Sequence, residues 1–392
     1  MRIVFASSLI PTSPTDSGFE IANRAVIDCL LGAGHDVRLI GYALPDRPLL
    51  YPDISTKLGT LDVKTANAGT AQKLKWLAGA MRRRTTFAAA KLDQISPDEF
   101  GKQLEALAPF DVLMINGAPI AGAYFERLTA YRHIYIAHNQ EAVAARHAAQ
   151  ASTSLIEKLL YWREANHLDR LEKWLAGSSN GVLTFTDDDQ RALFARHGNA
   201  HTLPLVTPAA GSDGKGVRPI AFDAGMVGTW TWTQNRIGLE WFLQQVMPLM
   251  PDHTRIAVAG ALPPDFPKRD KRVQFLGRVI DAQSFIRSCR VSILCARAGT
   301  GIQLKTLETL EMGLPAVATQ SSLRGIARPL PAQIVEADDP KAFADALKKM
   351  IVDVRTGRVK DGDGTEFRNA QLRKMDSIMD AVLSPFTNAT VS

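Results

Sequence analysis

Short apolar runs return along this chain with amphipathic stretches of helical length between them, and that alternation limits the fold more than any other feature. RIVFAS is followed by a helix-like stretch from Ile21 to Leu31 and then by HDVRLIGYA; DVLMINGA, HIYIAH and GVLTFT continue the rhythm. Strands separated by helices pair in parallel, with the helices covering the sheet faces. The first helix runs into Leu30-Leu31-Gly32-Ala33-Gly34, with glycines where a C-cap needs positive φ. This is the opening of a Rossmann-like unit.

After LPLV the chain enters TPAAGSDGKGVRP, rich in Gly, Pro and small polar residues, and the alternation then restarts. AGMVG, RIAVAG, VQFLG, VSILCA, LPAVAT and AQIVEA read as a second set of short strands, followed by a helical stretch from Phe367 to Leu383. A length of 392 residues exceeds what one core organises. The expected division is a first doubly wound domain over 1–206, a linker over 207–222, a second over 223–366, and a C-terminal helix and tail over 367–392 that can pack back on the first. A cleft is expected between the two, and ligands at the carboxyl ends of the parallel strands, where helix N-termini offer free amides.

Composition narrows the class. The chain is 46% hydrophobic and 22% charged, and no apolar run approaches the roughly 18 residues of a membrane span. MRIVFASSLIP has one Arg and a short apolar stretch that meets Pro11, a strand rather than a secretory signal. Cys29, Cys289 and Cys295 lie in apolar segments without metal-ligand spacing, which points to buried thiols and a cytoplasmic location. The net charge of +6 suits an anionic ligand or membrane surface. With no aromatic-interleaved basic repeat or zinc-finger spacing, nucleic acid is not expected as a partner.

The most informative stretch is residues 291 to 319, VSILCARAGTGIQLKTLETLEMGLPAVAT: buried strand, small-residue loop, helix, Gly stop, buried strand. Leu304, Leu307 and Leu310 form the helix's apolar stripe. Ala298, Gly299, Thr300 and Gly301 fall at its start, where a backbone can approach an anion such as a diphosphate. Lys305 and Glu308 share the polar face, a cation near that anion and a carboxylate able to accept from ribose hydroxyls. The same spacing equally fits a simple helix salt bridge.

LKTLETLEMGLPAVAT resembles the signature of family 4 and related glycosyltransferases of the GT-B class, which have two Rossmann-like doubly wound parallel-sheet domains facing across a cleft. The resemblance extends to FLGRV (275 to 279), to GMVGTWTWTQNRIGLEWF (225 to 242), which includes Gly228, and to HNQE (138 to 141). It implies an N-terminal acceptor-binding domain and a C-terminal nucleotide-sugar-binding domain, with transfer from a nucleoside-diphosphate sugar, UDP first among them, to an acceptor hydroxyl. By position, Glu308 resembles the ribose-binding glutamate and Lys305 a diphosphate-binding lysine. Arg278 with Val279 resembles the loop lining the base, and His138 a cleft residue near the donor sugar. Two departures stand out. Thr300 occupies the position eight before Glu308 where many retaining members carry a second Glu, and Trp230-Thr231-Trp232-Thr233-Gln234-Asn235-Arg236 replaces a loop that usually holds Arg and Lys for phosphate. Asn235 reads as the N-cap of the following helix.

In the N-terminal half, Ser13-Pro14-Thr15-Asp16-Ser17-Gly18 joins the first strand to its helix, so Gly18 permits close approach of a ligand. Asp16 is a candidate general base or a turn residue, and His138 a candidate base or sugar contact. Thr186-Asp187-Asp188-Asp189 has metal-nucleotide spacing but opens a helix, which makes capping its role, and no obligatory metal is expected. Residues 73–84, with Lys73, Lys75, Trp76 and Arg82 to Arg84, have the composition of a helix lying on anionic lipid, or of a solvated basic face. Membrane contact would suit a lipid-linked or carbohydrate acceptor in bacterial surface polysaccharide or glycolipid synthesis. A nucleotide-sugar epimerase and a non-catalytic two-domain binding protein remain open as rivals.

Overall fold

A computed structural model describes residues 1–15, 17–62, 68–152, 154–195, 197–208, 218–267 and 270–387. The chain forms two compact units, one of Met1–Leu205 with the chain from Leu372 onward, the other of Val206–Gln371. Most of the expected linker over 207–222 lies outside the described residues.

The first unit contains, in order, β1 (Arg2–Leu9), α1 (Gly18–Gly32), β2 (Asp36–Ala43), β3 (Ser55–Thr60), α2 (Thr70–Arg82), α3 (Phe87–Ala90), α4 (Pro97–Glu105) and β4 (Val112–Asn116). It continues through α5 (Ala118–Leu128), β5 (His133–Ala137), α6 (Glu141–Ala151), α7 (Leu155–Ser178), β6 (Gly181–Thr184), α8 (Asp187–Phe194) and β7 (Ala200–Thr202). The seven strands pair in parallel in the order β3-β2-β1-β4-β5-β6-β7. β1, β4 and β5 are apolar on both faces because helices cover both, and Val4, Leu113, Ile115 and Tyr135 are buried in the core with Phe100 and Tyr124. β1 is paired with β4 without irregularity, Ser7 opposite Asn116, but its register against β2 slips between Ser7 and Leu9.

The second unit contains β8 (Phe222–Val227), α9 (Thr233–Trp241), β9 (Ile256–Ala259), β10 (Val273–Gly277), α10 (Ala282–Arg287), β11 (Cys289–Leu294), α11 (Leu304–Glu311), β12 (Ala316–Ala318), β13 (Ile334–Glu336) and α12 (Pro340–Arg355). From it α13 (Gly364–Thr387) leads on into the residues of the first unit. Its six parallel strands run β10-β9-β8-β11-β12-β13 around a core that includes Trp230, Phe242, Val258, Ile293 and Phe343. Glu311, at the end of α11, accepts from the Thr207 amide at 3.0 Å and from Arg368 Nη1 at 3.1 Å, so the start and end of this unit are tied to one helix.

The Asp-rich segment caps α8: Thr186 is the N-cap, its Oγ1 accepts from the Asp189 amide at 3.1 Å and donates to Asp189 Oδ2 at 2.6 Å. Asn235 is not a cap. α9 begins at Thr233 after Trp232, and the Asn235 amide group, already inside the helix, donates to the Thr229 carbonyl at 3.1 Å. The helix starts early because the buried Trp230 indole is anchored on the Ala259 carbonyl at 2.8 Å and the Trp232 amide turns back onto Thr229.

Candidate functional site

Each sheet reverses its direction of growth once, between β1 and β4 and between β8 and β11, and ligands bind open parallel sheets at the carboxyl ends of strands at such points. In the second unit β11 ends at Leu294, and the chain passes through Gly299 (φ 106°) and Gly301 (φ 73°) before α11 begins. Only glycine adopts these angles without strain. The glycine loop therefore stops short of the helix: Gln303 is the N-cap, because the Thr306 and Leu307 amides fold back onto its carbonyl. Its side chain makes no capping bond, so the first-turn amides of α11 have no side-chain cap.

Leu307 and Leu310 face the core, as do Thr306 and Thr309, while Lys305 and Glu308 are half-buried on the other face. Both line one small pocket together with Val227, Ala282, Ser292 and Met312. They form no salt bridge with each other. Lys305 Nζ lies 5.6 Å from the centroid of Trp230, and burial pulls its ammonium below the usual lysine range. Burial, with repulsion from Glu311 and Asp281, pushes the Glu308 carboxyl up to about 7 against a side-chain hydrogen bond from Gln283. A cation and a carboxylate that do not neutralise each other make a site ready for a ligand with an anionic and a hydroxyl-bearing part.

The other expected donor groups differ in packing and exposure. Gly228 follows β8, its amide donating to Ala259 O at 3.1 Å, and the backbone is so close there that a Cβ on Gly260 would lie 1.8 Å from the Gly228 oxygen. Arg278 is exposed after β10, whereas Val279 is half-buried against the apolar cluster that includes Phe285 and Leu314. Thr300 is half-buried between the two loop glycines. Sequence reasoning missed Arg324. Its Nε lies 3.4 Å from the Gly301 oxygen, and a Cβ on Gly299 would come 3.5 Å from its Nη2 and 3.4 Å from Gln234 Oε1. A guanidinium and an amide thus flank the Gly299–Gly301 loop.

In the first unit His138 follows β5. Its ring is tilted against Phe19 at 4.6 Å and meets Phe185 edge-on at 5.0 Å, and desolvation pushes the imidazole down to about 3, so it is neutral near pH 7. Nε2 lies 2.8 Å from Asn116 Oδ1, and Asn116, Asn23 and Ser7, all fully buried, continue the network. Ser7, Asn23 and Asn116 also escaped the sequence reading. Gly18 is the exposed first residue of α1, whose cap is Ser17, and Phe19 next to it reaches His138. Asp16 lies outside the described residues.

On α2, Lys73, Lys75 and Arg82 are exposed, as is Arg84 just beyond it, but Trp76 is buried and Arg83 is paired with Asp93. The basic face is therefore narrower than the composition suggested. Among the described residues no helix is long and apolar enough to cross a membrane, and no group of three or more His, Cys, Asp or Glu side chains is positioned to hold a metal ion.

Two doubly wound parallel units, one carrying a glycine loop and a Lys-Glu helix at its switch point, have the architecture of the GT-B fold. Residues 221–353, within the second unit, match the family of glycosyl transferases group 1. In fold, the chain is similar to sucrose-phosphate synthase from Thermosynechococcus elongatus, with a TM-score of 0.62, 15% identity, and coverage of 99% of this chain and 98% of that one. It is also similar to HepE of Anabaena in complex with UDP, at 0.56 and 12% with both chains fully covered, and to the lipopolysaccharide outer core galactosyltransferase WaaB, at 0.53 and 13% with both fully covered. By sequence the chain matches none of the curated proteins.

Proposed function

We propose that this glycosyltransferase moves a sugar from a nucleoside diphosphate, UDP first among the candidates, to the hydroxyl of a carbohydrate or lipid-linked acceptor. The observation that carries the reading is the pocket in which Lys305 and Glu308 stand un-neutralised beside the Gly299–Gly301 loop. In it Lys305 and the loop amides hold the diphosphate, Glu308 accepts from the ribose hydroxyls, and Arg278 with Val279 lines the base. As the bond from the sugar's anomeric carbon to the phosphate oxygen breaks, charge grows on the diphosphate, where Lys305 and the loop amides stabilise it. The acceptor oxygen forms the new bond and gives up its proton, with His138 or Asp16 as the candidate receiving group. The UDP bound to HepE, a protein of similar fold, supports UDP as the donor.

A panel of UDP-, GDP- and dTDP-sugars in a thermal-shift titration tests the donor, since stabilisation follows RT ln(1 + [L]/Kd). Absence of any shift across the panel removes the donor assignment. Donor alone separates transfer from epimerisation: an epimerase converts it without an acceptor, a transferase does not.

The same reading extends to bacterial surface polysaccharide or glycolipid assembly on an anionic membrane. Beyond the basic residues around α2, the first turns of α7 expose Leu155, Ile156, Leu159, Tyr161 and Trp162, with Lys158 among them. Exposed apolar and aromatic side chains beside basic ones are what an interfacial surface requires. Arg163 joins the two regions by donating to the Ala80 and Thr85 carbonyls at 2.7 and 2.9 Å.

A further inference from the structure

The hydrogen-bond chain behind His138 has a fixed direction, and one atom sets it. The Leu9 carbonyl oxygen can only accept, so the Asn23 side-chain atom 3.1 Å away is its NH2 group. The same NH2 reaches Ser7 Oγ at 3.3 Å. Asn23 therefore presents its carbonyl to Asn116, whose NH2 donates to it at 2.7 Å and to Ser7 Oγ at 3.0 Å. That leaves Asn116 Oδ1, an acceptor, facing His138 Nε2 at 2.8 Å, and Nε2 must carry the proton. Flipping either amide would set a carbonyl against a carbonyl or an NH2 against an N–H in a site without water exposure. No described residue bonds Nδ1.

We propose that Leu9, Asn23 and Asn116 form an orientation relay that holds His138 as the Nε2–H tautomer, so that the atom it offers a substrate is an unprotonated Nδ1, an acceptor for a sugar hydroxyl and not a partner for phosphate. Phe19 and Phe185 hold the ring plane while the relay holds the proton. Asn23 and Asn116 are positioning residues that act through the imidazole. The part played by the substrate rests on the glycosyltransferase reading; the tautomer does not.

The test is 15N NMR of the full chain with labelled histidine, the His138 signals being those that vanish in His138→Gln. At neutral pH the expected pattern is a protonated Nε2 and a bare Nδ1. Asn116→Leu removes the acceptor and should let the ring redistribute between tautomers, lowering kcat roughly 10- to 100-fold with the donor KM nearly unchanged. A wild-type Nδ1–H or imidazolium signal overturns the relay, and so does an Asn116→Leu protein with unaltered tautomer and turnover. Because the wild-type spectrum, once assigned with His138→Gln, is decisive by itself, an Asn116 variant that does not fold leaves the test intact. An Nε2–H signal together with full turnover in His138→Gln would uphold the relay and overturn the sugar-contact reading of His138.

Discussion

Replacing Lys305 with Met separates binding from stability. Met has nearly the length of the lysine stem and can keep its contact with Trp230, whose centroid lies 5.6 Å from Nζ, while the charge disappears. In the ligand-free protein that ammonium is partly desolvated and has no carboxylate partner, so its loss relieves a burial penalty. The cation–π contact surrendered is worth about 0.5–1 kcal/mol, and the two terms oppose each other, so unfolding free energy should stay within about 1 kcal/mol of wild type. Ligand binding should respond differently. A hydrogen bond to a charged group contributes about 1.5–3 kcal/mol, which at about 1.4 kcal/mol per decade is a roughly 10- to 150-fold weaker Kd for UDP. Calorimetric titration with UDP beside thermal melts of the free protein measures both. An unchanged Kd would take Lys305 out of the diphosphate site, and a large fall in the melting temperature of the free protein would make it a structural residue.

Glu308 ionises only above about pH 7, so affinity for a UDP-sugar should rise between pH 6 and pH 8 as the carboxylate forms, and Glu308→Gln should flatten that dependence; parallel curves for the two proteins would end its ribose role. His138→Ala should lower turnover by roughly tenfold or more with donor affinity nearly kept, and an equal loss in both would point to collapse of the pocket between Phe19 and Phe185. Sedimentation with anionic vesicles should be salt-sensitive, at about 1 kcal/mol per basic residue near the surface, and weakened by Arg82→Gln with Arg84→Gln and separately by Leu155→Ser with Ile156→Ser. Arg83 is left intact because its pairing with Asp93 is structural; indifference of the wild type to vesicles at low salt would end the membrane reading.

The parallel strands that lie inside the sheets were legible because burial on both faces demands continuous apolar runs, as in RIVFAS for β1 and VSILCA for β11. The edge strands β3 and β7 were not. STKLGT mixes polar residues with glycine, and AHT is three half-buried residues long, so neither carries an apolar signature. The Lys305-Glu308 pocket could be read because its side chains share one helix and their spacing is local. Arg324 reaches Gly301 only after β12 has returned beside β11, and Ser7, Asn23 and Asn116 meet only once β1 and β4 are in register with α1 packed above them. Contacts made by tertiary folding leave no period or motif in the chain. Asn235 failed for the opposite reason: a favourable local signal was overridden by an indole anchored on a neighbouring strand.

The slip of β1 against β2 makes a silent position vulnerable. Gly41 belongs to no motif and carries no side chain, yet a methyl there would meet the Ser7 carbonyl oxygen at 2.2 Å and Ile10 Cγ2 at 3.2 Å. Ser7 and Leu9 bracket the irregularity, and both belong to the chain of atoms that decides where the His138 proton sits. A Gly41 variant would enter any survey as a mild change in an ordinary strand, remote from chemistry. Its damage should nonetheless surface as a misdirected imidazole, an inherited fault in catalysis that no list of active-site residues would explain.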